Sequence, residues 1–94
     1  MPGFDDVRRG LQNLAPQAAR VLLVSLTGGS LRDDPVTLIR AAIARLPGAG
    51  RIQKKKDQAA VIALTHLLSE VPANTPGYAD LVRAVGDLRD RAVR

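Results

Sequence analysis

Cysteine and tryptophan are absent from this 94-residue chain, and histidine, phenylalanine, tyrosine and methionine occur once each. Without cysteine, the chain has no disulfide, no thiol nucleophile and no cysteine-ligated zinc site. The scarcity of aromatic residues also leaves little that could stack on nucleic-acid bases. A chain of this length can bury one small core, so we expect a single helical domain over residues 1–94.

Long hydrophobic runs are missing as well. The longest uninterrupted apolar stretch, residues 59–64, is far shorter than the ~20 residues that a membrane span requires. The first residues carry neither the basic leader nor the apolar run of a signal peptide. We therefore expect a cytoplasmic protein that does not associate with membranes.

Aliphatic residues at helical spacing, interrupted by proline and glycine, make up most of the chain. Because no segment alternates like a strand, they predict an all-α fold, a compact bundle of five to six short helices. The predicted helices cover residues 4–14, 16–27, 35–46, 57–71 and 76–93, with a candidate sixth at residues 30–32. The helices at 16–27 and 57–71 are apolar almost all round, so we expect both to be central.

Proline and glycine mark several helix boundaries. Asp34 precedes Pro35 and Thr75 precedes Pro76, so each pair predicts a capping side chain followed by a proline in the first turn. Gly28 predicts the end of the helix before it.

His66 is the one histidine, and Glu70 follows it by one helical turn. A catalytic triad or a zinc site would need a second histidine, a cysteine or an identifiable nucleophile, so we interpret His66 as structural. The glycine clusters at residues 28–30 and 48–51 lack the Gly-Lys-Ser/Thr ending of a phosphate loop and are typical of helix-ending loops. We therefore expect no enzyme activity, catalytic residue, metal, cofactor or small-molecule substrate.

Positive charge is distributed unevenly. The chain has 14 Lys and Arg against 9 Asp and Glu, a formal net charge of +5. Residues 35–56 contain no acidic residue and six basic ones, which are Arg40, Arg45, Arg51, Lys54, Lys55 and Lys56. Lysines at the start of a helix oppose its dipole, which a purely structural loop has little reason to do. We predict that the six residues form one partner-binding patch, and the alternative is an ordinary solvated face.

Two classes of acidic partner fit such a patch. The first is a protein, either another helical domain or a second copy of this chain, whose acidic faces would be Asp5 and Asp6, Asp33 and Asp34, or Asp80, Asp87 and Asp90. A head-to-tail contact of that kind would build rings or filaments. The second is a nucleic acid bound by the basic loop at residues 51–56, although no short helix-turn-helix surrounds it.

Three stretches carry a family resemblance. They are Asp6-Val7-Arg8-Arg9-Gly10-Leu11, Ala19-Arg20-Val21-Leu22-Leu23-Val24 and the glycine-led Gly77-Tyr78-Ala79-Asp80-Leu81-Val82-Arg83-Ala84-Val85. Together they resemble the effector-associated, death-fold-like adaptor domains of bacterial conflict systems. The resemblance implies a death-fold-like bundle that joins a sensor to a protease or nuclease effector through contacts between helical domains. It carries over no binding residue, and residues 47–56 have no counterpart in it.

Overall fold

The computed structural model describes residues 16–93, and within that range it contains helices and no strand. The four helices are α1 (Pro16–Thr27), α2 (Pro35–Arg45), α3 (Lys55–Leu68) and α4 (Tyr78–Val93). The predicted all-α class is therefore confirmed. No helix in the described range is both long enough and apolar enough to cross a membrane.

The predicted count of five to six helices is not matched. The first predicted helix, residues 4–14, lies outside the described residues. The candidate sixth at residues 30–32 is a turn, closed by the Asp33 amide donating to the Ser30 carbonyl at 3.0 Å. The Ser30 amide also donates to Asp33 Oδ2 at 2.9 Å, so the carboxylate stabilises a tight turn where a further helical turn was expected.

The end of α1 and the start of α2 agree with the prediction, and α1 is described from Pro16 onward. Gly28, with a φ of 74°, follows α1 and donates its amide to the Val24 carbonyl at 2.8 Å. This left-handed conformation suits glycine, which has no Cβ to clash. Pro35 opens α2 as predicted, but the Asp34 side chain makes no capping hydrogen bond. That part of the prediction was wrong.

The starts of α3 and α4 differ from the prediction by two residues in opposite directions. Helix α3 begins at Lys55 instead of Asp57, so the lysines belong to its first turn. Helix α4 begins at Tyr78 instead of Pro76. Gly77 has a φ of 80°, which lies outside the range of a right-handed helix and so excludes Pro76 from α4.

Helices α2 and α3 each pack against all the other described helices, whereas α1 contacts α2 and α3 only. Helix α3 buries seven residues, more than α2 or α4, and so lies at the centre. The central position predicted for α3 is confirmed. In α1, Ala19 and Leu23 are fully buried and Val21 is 49% exposed, so its central position stays a prediction. The largest fully buried side chains of the core are Leu23, Leu38, Ile39, Ile52, Val61, Leu64 and Leu67.

Candidate protein-interaction surface

The loop between α2 and α3 carries part of the predicted basic patch and is fixed by its own backbone. Ile52 is buried and donates its amide to the carbonyl of Arg91 in the last turn of α4, at 3.1 Å. Its carbonyl accepts the amide of the buried Gln58 side chain, also at 3.1 Å. The segment that leads into the lysines is therefore held by both α3 and α4.

The Arg91 side chain closes the same loop from the other side. Its Nε donates to Asp87 Oδ2 at 3.1 Å, and one terminal nitrogen donates to the Gly50 carbonyl at 3.4 Å. The side chain is only 17% exposed. Arg91 thus joins α4 to residues 50–52, and its charge is used within the fold.

Lys54, Lys55 and Lys56, here called the lysine cluster, occupy the beginning of α3. Lys54 is the N-cap residue, with extended backbone and no side-chain capping bond, and the other two are the first residues of the helix. All three are exposed, and none forms an ion pair with a residue in the described range. Three ammonium groups and the positive end of the helix dipole therefore act together, an environment that attracts carboxylates or phosphates.

An apolar groove between α1 and α3 begins beside the lysine cluster. Its volume is about 320 Å³, and its lining comprises Val21, Leu22, Ser25, Leu26, Lys56, Ala59 and Ala60. The two alanines are small, which leaves depth between the helices. We call the apolar groove the α1–α3 groove. Because Lys56 belongs both to the lysine cluster and to the lining of this groove, the cationic and apolar surfaces are continuous.

The structure separates Arg40 from the rest of the predicted patch. One guanidinium nitrogen of Arg40 lies 3.2 Å from the position that a Cβ would take on Gly77, just before α4. Ile52 contacts the opposite end of α4, at Arg91. The 14 residues from Gly77 to Arg91 correspond to about 21 Å along a helix, so Arg40 is not brought together with the lysine cluster.

Arg51 lies at the same end of α4 as the lysine cluster, because it is next to the anchored Ile52, and it is exposed. Arg45 is exposed in the last turn of α2, where the loop that leads to the cluster begins. Their role in binding a partner remains a prediction.

Glu70, one helical turn after His66 in the sequence, pairs with Arg20 of α1. Its Oε1 lies 3.8 Å from a guanidinium nitrogen of Arg20, and another nitrogen of Arg20 donates to the Asp33 carbonyl at 2.7 Å. Arg20 therefore links α1 to the loop before α2 and to the segment just after α3. Sequence reasoning missed this role, although a single charge on an otherwise apolar helix was a usable signal.

Compared with known proteins, the chain matches no protein-family model, no curated protein and no solved structure at a significant level. Within the described range, no group of three or more histidine, cysteine or carboxylate side chains is placed to hold a metal ion. The candidate site therefore consists of the lysine cluster, the loop that anchors it and the α1–α3 groove.

Proposed function

We propose that this chain is a non-enzymatic adaptor that binds an amphipathic helix of a partner protein. The helix would place apolar side chains in the α1–α3 groove and carboxylates against the lysine cluster. One observation carries the proposal: the groove and the cluster share Lys56 and form one continuous surface. Helices with an apolar stripe and a charged border commonly bind to grooves of this kind.

The two parts of the surface contribute differently. The groove, at about 320 Å³, has room for a few aliphatic side chains, and burying the 49% exposed Val21 favours association. Lysine ammonium groups are strongly hydrated and flexible, so each charge contact adds modest affinity, and the three together orient an acidic partner and speed its approach. The apolar contacts therefore hold the helix, and the charges select an acidic one.

The proposal extends to the class of partner. A related helical domain or a second copy of this chain presents helices with exposed carboxylates, as α4 does at Asp80, Asp87 and Asp90. Support comes from the all-α architecture and from a binding surface made by two helices. An effector-associated, death-fold-like adaptor of a bacterial conflict system, with its five to six helices, is the family that we propose on this basis.

Nucleic acid is the second candidate partner, and the unpaired lysine cluster is the observation that favours it. Phosphates would bind three ammonium groups as readily as carboxylates do. However, the surface next to the cluster is an apolar groove without aromatic residues, and Tyr78 packs against the core at the start of α4. A protein helix uses both parts of the surface, so we prefer it.

The test is selection from a displayed library of helical peptides that vary in charge and apolar pattern. We expect enrichment of amphipathic helices with carboxylates beside the apolar stripe. Replacing the lysine cluster by three alanines should lower the affinity for the selected peptide at least about tenfold, since three charge contacts are lost. The matched control, Arg32, Arg83 and Arg89 all replaced by alanine, removes the same charge elsewhere and should leave affinity within about twofold.

Other results would contradict the proposal. Enrichment of peptides without acidic residues, or an equal loss of affinity in both triple variants, would mean that the cluster does not select the partner. A Val21→Asp variant that binds as well as the wild type would exclude the groove. Binding of a 20-nucleotide DNA or RNA that falls steeply with salt and disappears only in the cluster variant would favour the nucleic-acid alternative.

A further inference from the structure

Gly86 occupies a position that the described fold gives no reason to keep as glycine. It lies inside the 16-residue helix α4, and its φ is not positive. A Cβ added there would meet no atom within 4 Å. Because glycine is a poor helix former, alanine would suit this position better unless another molecule approaches the backbone closely.

The face of α4 that contains Gly86 also exposes aliphatic side chains. Val82 is 41% exposed and Val93 is 57% exposed, and Ala79 is exposed as well. At 100° per residue, all three point within about 40° of Gly86 around the helix axis. We call this surface the outer face of α4. The buried residues of the helix, Leu81, Val85, Leu88 and Ala92, lie on another side.

Opposite charges border this face in such a way that two copies of the face can pair with each other. Arg83 and Asp90 lie on the same side of the stripe, three residues before and four residues after Gly86. When two α4 helices run antiparallel and cross at Gly86, the two-fold axis brings Arg83 of each copy opposite Asp90 of the other. The same arrangement places Ala79 opposite Val93, and Val82 against the aliphatic part of Arg89.

Both charged groups are available for this contact. Arg83 is 3.6 Å from Asp80 within its own helix, but both side chains are largely exposed, so that ion pair contributes little. Asp90 forms no ion pair with any residue of the range 16–93. Forming the two intermolecular pairs therefore breaks no strong contact within the chain.

We propose that the outer face of α4 binds a second copy of this chain, antiparallel and centred on Gly86. The self-complementary placement of Arg83 and Asp90 indicates a copy of the chain as the occupant. This surface is separate from the lysine cluster and the α1–α3 groove, so the inference goes beyond the adaptor function and does not depend on it. A single helix face is a small interface, so the dimer is weak and forms at high concentration.

Sedimentation equilibrium of the whole chain from about 10 µM to about 1 mM tests the dimer. Arg83→Asp and Asp90→Arg should each raise the dimer dissociation constant at least about tenfold, because each places like charges opposite one another twice. The double variant, Arg83→Asp with Asp90→Arg, exchanges the two charges, so its dimer dissociation constant should lie within about threefold of that of the wild type. Gly86→Leu should abolish the dimer, whereas Thr37→Leu, which adds a leucine at an exposed site on α2, should not.

Three results would overturn the inference. The wild-type chain could stay monomeric at about 1 mM, or the double variant could dimerise as weakly as the single variants. The third is loss of the dimer in the lysine-cluster variant. The last result would indicate a head-to-tail contact through the cluster. Circular dichroism of each variant checks that the helices are retained. Loss of peptide binding without loss of the dimer would contradict the adaptor proposal alone, which keeps the two proposals distinguishable.

Discussion

Within residues 16–93, two groups of cations show two different uses of positive charge. Arg20 and Arg91 are each 17% exposed, and each donates a hydrogen bond to a backbone carbonyl of another segment. Each also pairs with a carboxylate, Glu70 for Arg20 and Asp87 of the same helix for Arg91. The lysine cluster is exposed and makes no ion pair in the described range. Positive charge is therefore used in two ways, inside the fold to connect segments and outside it where a partner can reach it.

The strongest test of this distinction is Arg20→Ala. The substitution leaves the Asp33 carbonyl without its 2.7 Å donor and removes the partner of Glu70. Charged hydrogen bonds of this kind are worth about 2 kcal/mol, so we expect the free energy of unfolding to fall by about that amount. Urea denaturation measures it, with Lys55→Ala as the control, which should change stability by less than about 0.5 kcal/mol. Equal effects of the two substitutions would remove the distinction.

Arg91→Ala should have the next largest effect, a loss of about 1–1.5 kcal/mol in the free energy of unfolding. It removes the donor to the Gly50 carbonyl and the partner of Asp87. Because the loop before the lysine cluster loses a support, binding of the selected acidic peptide should weaken as well. Arg91→Lys keeps the charge but cannot reproduce two directed bonds, so it should rescue only part of the loss. Full rescue by lysine would show that the charge alone matters.

Gly86→Ala extends the comparison to an uncharged residue whose lack of a side chain is not required by packing within the chain. With open space around the added Cβ, the substitution should raise the free energy of unfolding by up to about 1 kcal/mol through helix propensity. At high concentration it should also weaken the dimer, because a methyl group separates the two backbones. Thermal unfolding at low concentration and sedimentation at high concentration measure the two effects, and a stabilised dimer would contradict our proposal.

The smallest stability effect is expected for replacement of the lysine cluster by three alanines. Removing cations from the positive end of α3 should leave the free energy of unfolding unchanged or raise it by about 0.5 kcal/mol. The gain should disappear at about 1 M salt, where charges at the surface are screened. A clear loss of stability in urea denaturation would mean that the lysines belong with Arg20 and Arg91.

Much of the helical layout is predictable because it depends on local chemistry. Gly28 and Pro35 each act on the backbone directly, and the helix boundaries predicted beside them agree with the structure. The start of α3 was misplaced because the dipole rule favours Asp57 over lysine at a helix start. Ile52, three residues before α3, is buried and hydrogen-bonded to Arg91 in the last turn of α4, far away in the sequence. Such long-range packing leaves no local pattern.

The candidate site was predictable only in its exposed lysines. The prediction that Arg40 joins the lysines failed because it depends on which end of α4 each residue lies near. Arg40 lies near Gly77 at the start of α4, whereas the lysines follow Ile52, which contacts the end of α4. The groove was missed because Ala59 and Ala60 have the pattern of core residues, and both line an opening only after α1 packs beside them. A binding surface made by two helices is a property of their packing, and neither helix shows it alone.

The hydrogen bond from the Ile52 amide to the Arg91 carbonyl couples the last turn of α4 to the segment before the lysine cluster. The last turn of α4 cannot unwind without releasing the segment ahead of Lys54, so a molecule that clamps the end of α4 also steadies the lysines. By reciprocity, an acidic ligand on the lysines would slow fraying of that helix end. Deuterium uptake at the single amide of Ile52 would therefore report on occupancy of either surface.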